Sequence, residues 1–185
     1  MLERWFRKDQ TQSQAETLFE ALNQQARQPE FYLDAGAPDT VEGRFEVLAI
    51  HVFLAIRRLK RDAPASDRLS AALQEVFFRQ LDHGLREFGV GDLSIGRKIR
   101  GLAEAFYGRA SAYDKALASG AEALAAAVAR NVHESADADA GRAISDYMLI
   151  ADDRLAAAAP EEIKAAIGAL AEVSGTTLTR ARHAG

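Results

Sequence analysis

Four histidines, His51, His83, His133 and His183, are the side chains of this sequence whose ordinary pKa lies nearest neutrality. None stands in a spacing that builds a known reaction centre. A carboxylate-bridged di-iron bundle needs Glu-x-x-His pairs on facing helices, and a zinc peptidase needs His-Glu-x-x-His; neither pattern occurs. There is no cysteine, which excludes thiolate nucleophiles, thiolate metal sites and disulfides. Gly89, Gly91 and Gly96 depart from the Gly-x-Gly-x-x-Gly of a dinucleotide loop, and no strand precedes them. Their simpler use is to close one helix and start the next. His51, with Glu46 as an acidic companion, is the one candidate for a small helical enzyme. The simpler reading is a core histidine hydrogen-bonded to a neighbour, and His83 beside Asp82 reads as a solvated helix position. No catalytic residue, cofactor or metal is expected.

Charge offers a second kind of chemistry. Arg57, Arg58, Lys60 and Arg61 form one basic cluster; Arg97, Lys98 and Arg100 form another. If their helices pack side by side, the clusters merge into one positive surface able to meet an anionic membrane or RNA. Ordinary solvated helix ends are the commoner outcome. Trp5 and Phe6, between Arg4 and Arg7-Lys8, suit either a membrane interface or a short frayed terminus. The net charge of −4 all lies after Arg109, because the preceding residues hold sixteen acidic and sixteen basic side chains. A domain balanced in this way is a poor general DNA or RNA binder.

The elements that must position these residues are helices. Ser13 and Glu16 form a capping box ahead of Ala15, Leu18, Phe19, Leu22 and Ala26. Gln28-Pro29 ends that run, and Phe31, Tyr32 and Leu33 in the connector are expected to pack on the domain. Asp39 and Glu42 cap a helix that is apolar nearly all round from Phe45 to Leu59, the pattern of a central core helix. Ser66 or Asp67 opens an amphipathic helix through Leu69, Leu73, Val76, Phe77, Leu81, Leu85 and Phe88, with Gly89 as its stop. Another helix carries Ile95, Ile99, Leu102, Phe106, Ala110, Tyr113 and Leu117, and a third capping box at Ser119 and Glu122 introduces an alanine-rich helix to Val132. Two alanine-dominated helices follow, about 140–157 and 160–173; they bury little per residue and are expected to dock weakly.

Length and an apolar content of 48% suit one all-α domain of about six or seven helices. The expected organisation is a flexible N-terminus over 1–12, a helical core over 13–133, alanine-rich helices over 134–173 and a frayed tail over 174–185. No secretory h-region is visible, and the longest apolar stretch is too short to span a bilayer. Gly43, Gly84, Gly101 and Gly108 lie within helices, at about 1 kcal/mol each in helix propensity. They permit close helix approach or leave grooves; packing within the domain is the expected use for most of them.

Three phrases carry a family resemblance: Pro38-Asp39-Thr40-Val41-Glu42-Gly43-Arg44-Phe45-Glu46, Gly89-Val90-Gly91-Asp92, and Ala105-Phe106-Tyr107-Gly108-Arg109 followed by Ala112-Tyr113-Asp114. Their order and spacing, over about 28–131, resemble the ubiquinol–cytochrome c chaperone family. The alanine-rich tail beyond Glu134 is where the sequence departs from it. The resemblance implies an all-α, non-catalytic chaperone that binds newly made cytochrome b for respiratory complex III assembly, with contact to the ribosome and a small partner protein. It implies a bacterial member in the cytoplasm, peripheral to the inner membrane. The expected client site is an apolar, partly basic groove walled by the helix with Tyr107, Arg109 and Tyr113 and by the ends of the central helix. Those aromatics serve equally well as core. The alternative function is a generic helical interaction module, recruited to the ribosome or membrane through its basic clusters.

Overall fold

Helix-period apolar spacing runs the length of the sequence, and a computed structural model of the chain folds accordingly into α-helices. The structure describes residues 2–87, 89 and 91–183, and among these there is no strand. Eight α-helices follow in order: α1 Leu2–Ala26, α2 Glu30–Leu33, α3 Val41–Arg61, α4 Asp67–Glu87, α5 Asp92–Ser119, α6 Ala121–Val132, α7 Arg142–Ala157 and α8 Ile163–His183. Short 3-10 turns lead into α7 and α8. Phe88, Val90 and the side chains of Trp5 and Phe6 lie outside the described residues.

The central helix is α3, as its nearly continuous apolar character predicts. Val47, Ile50, Val52, Leu54, Ala55 and Leu59 are all buried, and α1, α4, α5, α6 and α7 pack around it. Its N-cap is Thr40, whose Oγ1 accepts the Gly43 amide at 3.1 Å, rather than Asp39, which pairs with Arg44. The Ser13 box is likewise interior to a helix that begins at Leu2, and the chain passes from α5 to α6 through Gly120, whose φ of +107° no other residue adopts cheaply. Only at α3 does the neighbouring side chain do the capping; Ser13 lies mid-helix, and Gly120 opens α6 without a side-chain cap.

The alanine-rich C-terminal helices do not dock weakly. Ile144, Tyr147, Met148, Ala151, Leu155, Ile163, Ile167, Leu170 and Val173 join the same core as Leu22 and Phe77. The expected frayed tail is also helical, with Leu178 fully buried and the Thr179 hydroxyl donating to Asp34 at 3.1 Å. Small residues explain the tight seating. A Cβ on Gly141 would meet the Ala125 carbonyl oxygen at 2.2 Å, so backbone lies on backbone there. Within the connector, Phe31 is buried and Tyr32 half-buried, whereas Leu33 remains 73% exposed.

A buried polar chain crosses this core. The His51 Nδ1–H donates to the Val47 carbonyl at 2.7 Å, which leaves Nε2 to accept from the Tyr147 hydroxyl at 2.8 Å. Gln25 Nε2 donates to the Tyr147 oxygen at 3.5 Å and to Ser174 Oγ at 3.4 Å, and Ser174 donates to the Ala171 carbonyl at 2.9 Å. Phe31 packs edge-on against both His51 and Tyr147. His51 is therefore a satisfied core histidine; Glu46 turns elsewhere, to Arg109.

Burial lowers the His51 pKa from 6.5 to about 4, against the opposing pull of the Val47 carbonyl. The unfolded chain thus takes up a proton near pH 6.5 that the folded chain refuses until about pH 4. Stability contributed by neutral His51 is present above this interval and lost as pH falls through it, by about 3 kcal/mol. Denaturant titrations at pH 7 and pH 4 are expected to show this loss in the wild type and a smaller one in His51→Gln; equal losses would refute the assignment.

Candidate functional site

Helices α3 and α5 run side by side in the same direction, with α4 antiparallel across them, and a groove opens at each end of this seam. Between the grooves lies an aromatic knot. Phe77 contacts Phe106 at 5.1 Å, Phe45 at 6.3 Å and Phe78 at 5.1 Å, between ring centroids.

The first groove, about 660 Å³, lies beside the start of α3. Its apolar lining is Tyr32, Val41, Phe45, Leu48, Leu81, Leu85, Leu102 and Ala105, contributed by α2, α3, α4 and α5. Most of these large side chains are half-buried, and Val41 is 57% exposed. Charged groups stand among them. Arg109 pairs with the buried Glu46 carboxylate and lies 5.8 Å from the Phe45 ring centroid; Arg44 pairs with Asp39 and covers the Tyr32 ring at 5.2 Å. Burial pushes the Glu46 carboxyl above its ordinary pKa, while the Arg109 guanidinium pulls it back.

Two glycines line this groove, Gly84 on α4 and Gly101 on α5. A Cβ at either would meet nothing within 4 Å. The expectation that helical glycines here serve internal packing is therefore overturned for Gly84, Gly101 and Gly108, which all face open space. It holds for Gly43, where a Cβ would strike the Pro38 carbonyl oxygen at 1.9 Å. Gly84 and Gly101 keep the groove deep at a cost in helix propensity that no contact with a described residue repays.

The second groove, about 530 Å³, lies beside the end of α3 and is lined by Phe53, Ile56, Phe106 and Ala110 under Arg57, Lys60, Arg61 and Tyr107. Tyr107 is 52% exposed and its hydroxyl donates to Gln74 Oε1 at 3.0 Å. The basic cluster here is mostly spent on the fold. Arg57 binds Asp114 and Asp152, and Arg61 binds Asp152 at 2.9 Å. Arg58 is buried, donating at the end of α7 to the Leu155 and Ala158 carbonyls at 2.8 and 2.7 Å, and within its own helix to the Asp62 carboxylate. Lys60 alone of the four has no ion-pair partner among the described residues.

The predicted site residues thus divide. Arg109 and Lys98 line the first groove, and Arg57, Lys60, Arg61 and Tyr107 the second. Arg97 and Arg100 are exposed on α5 beside Lys98. Arg58 and Tyr113 leave the proposed surface altogether: both are buried, and the Tyr113 ring packs 5.8 Å from Phe53. The two basic clusters do not merge, because Lys98 adjoins the start of α3 and the Arg57–Arg61 segment is its end. Leu81, Leu85, Phe45, Leu48 and Arg27, missed as site residues, are signalled in sequence only by the unexplained glycines beside them. Among the described residues, no group of three or more His, Asp or Glu is placed to hold a metal ion. No helix among them is long and apolar enough to cross a membrane.

Two open apolar grooves with charged lips thus stand on a helical body knit together by buried polar groups. The chain belongs to the ubiquinol-cytochrome C chaperone family, whose sequence profile matches residues 33–170. That match passes through α7 into α8, so the alanine-rich region is part of the family fold and not a departure from it. The chain is similar to the crystal structure of the Cbp3 homolog from Brucella abortus, with 35% identity and a TM-score of 0.75 over 91% of this chain and 94% of that one. It is also 25% identical over 103 residues to the ubiquinol-cytochrome-c reductase complex assembly factor 1 of Xenopus laevis, covering 56% of this chain. The chain spans about half the length, 52%, of that curated relative.

The glycine contrast can be read by thermal or chemical denaturation. Gly84→Ala and Gly101→Ala are each expected to raise stability by about 0.5–1 kcal/mol. Gly43→Ala is expected to lower it by about 1–3 kcal/mol through the forced movement of Pro38. Destabilisation by alanine at 84 or 101 would mean that these glycines serve the fold after all.

Proposed function

We propose that this protein is an assembly chaperone for the ubiquinol–cytochrome c reductase complex, and that its first groove shelters an apolar helix of newly made cytochrome b. The single observation that carries the placement is a deep apolar groove at Gly84 and Gly101 that no described residue fills. Large side chains projecting from a client helix would lie over the two glycines, between Phe45 and Leu48 on one helix and Leu81, Leu85 and Leu102 on the others. Holding such a helix keeps it from aggregating in water until its partner subunits arrive.

A non-catalytic role, ribosome contact and a small partner protein belong to the same reading and rest on the family alone. So does work beside the membrane into which cytochrome b inserts. The alternative, recruitment through a continuous basic face, loses its support because Arg57, Arg58 and Arg61 are committed to intramolecular partners.

Filling the groove tests the proposal. In cells whose own copy is replaced by the Gly84→Leu/Gly101→Leu double variant, co-purified cytochrome b and assembled complex are expected to fall several-fold, at unchanged chaperone abundance. Leu33→Ser, at an exposed apolar residue outside the groove, is expected to leave both intact. Normal cytochrome b capture by the filled variant would remove the client from this groove.

A further inference from the structure

The charges around the first groove do not balance, and the imbalance describes its occupant. Arg109 is neutralised by Glu46, and Arg44 by Asp39. Glu42 occupies the first turn of α3, where the positive end of the helix meets its charge. Arg27, just past α1, and Lys98, on α5, line the same groove with no ion-pair partner among the described residues. Both are exposed, so neither costs the free fold anything by standing unpaired in water. Their position matters once an apolar ligand excludes that water, because a cation at the edge of a desolvated contact favours a carboxylate and disfavours another cation.

We infer that the helix held in this groove carries an acidic side chain, which Arg27 and Lys98 recognise while its apolar residues fill the space over Gly84 and Gly101. This rests on the proposed use of the groove and specifies the chemistry of its client. The acidic residue fixes which way the helix lies, which an apolar groove by itself does not do. It also separates the client from apolar helices with basic flanks, which the same two residues repel.

The test uses the full-length protein and three fluorescein-labelled helical peptides of Ala, Leu and Gln, identical except for Glu, Gln or Lys at one position. Fluorescence anisotropy is expected to rank them Glu, Gln, Lys, with about five-fold between neighbours, the effect of one partly exposed ion pair. Arg27→Glu/Lys98→Glu is expected to reverse the order, and the preference is expected to shrink in high salt. Equal binding of all three peptides, or a preference that survives the charge reversal, overturns the inference. Gly84→Leu/Gly101→Leu separates the two levels. If it abolishes binding of every peptide while charge makes no difference, the groove stands and only the acidic requirement falls. If it changes nothing, or if no peptide binds the wild type, the groove reading itself falls.

Discussion

The hydroxyl of Tyr147 lies where no water reaches it, and much of the architecture follows from how that oxygen is satisfied. Left unpaired, a buried hydroxyl costs a few kcal/mol. It is satisfied by giving its proton to His51 and taking one from Gln25, whose amide also reaches Ser174. Every member is complete only when α1, α3, α7 and α8 occupy one mutual arrangement. Apolar contacts among alanine-rich helices are shallow and tolerate sliding; directional hydrogen bonds in a low-dielectric interior do not. Arg58, buried nearby and bound to the last carbonyls of α7, adds a second such constraint. With α3 held from one side by these contacts, its other side is free to serve as the fixed wall of both grooves.

That division of labour explains the uneven quality of packing along the α3–α5 seam. Its middle is filled by phenylalanines in mutual contact, which leaves little freedom to move. Toward the start of α3 the same three helices present small residues and half-buried leucines instead. The proposed seating of a helix calls for rigid borders and an empty middle, and the aromatic knot supplies one of those borders.

Helix periodicity made the all-α architecture, the centrality of α3 and the amphipathic faces of α4 and α5 readable before any coordinates. The docking of α7 and α8 was less so, because alanine content suggests weak burial while the large residues that matter, Tyr147, Leu155 and Ile167, are few and widely spaced. Caps were poorly legible: Ser13 lies well inside α1, and at α3 both Asp39 and Thr40 offer a side-chain oxygen able to accept an amide, so backbone direction chooses between them. The candidate site was half legible. The glycines in α4 and α5 violate helix preference in plain view, and such violations tend to mark function. Which residues surround them depends on three helices meeting in space, and no one-dimensional pattern records that. Arg58 was indistinguishable in sequence from its exposed neighbours, since amphipathic side chains are buried or exposed according to tertiary context, whereas Tyr113 stood on the apolar stripe of its helix.

The polar chain also joins α1 to α8. Gln25 meets Ser174 across 149 residues of sequence, and Leu22 shares a core with Leu178. A protein made from its N-terminus forward therefore cannot complete this core until α8 has been synthesised. Until α8 exists, Gln25 on α1 lacks its Ser174 partner, although His51 on α3 already has Tyr147 of α7. Contacts of such long sequence separation form late in folding. A copy that stops before α8 therefore lacks both Leu178 in the core and the hydroxyl that Gln25 reaches.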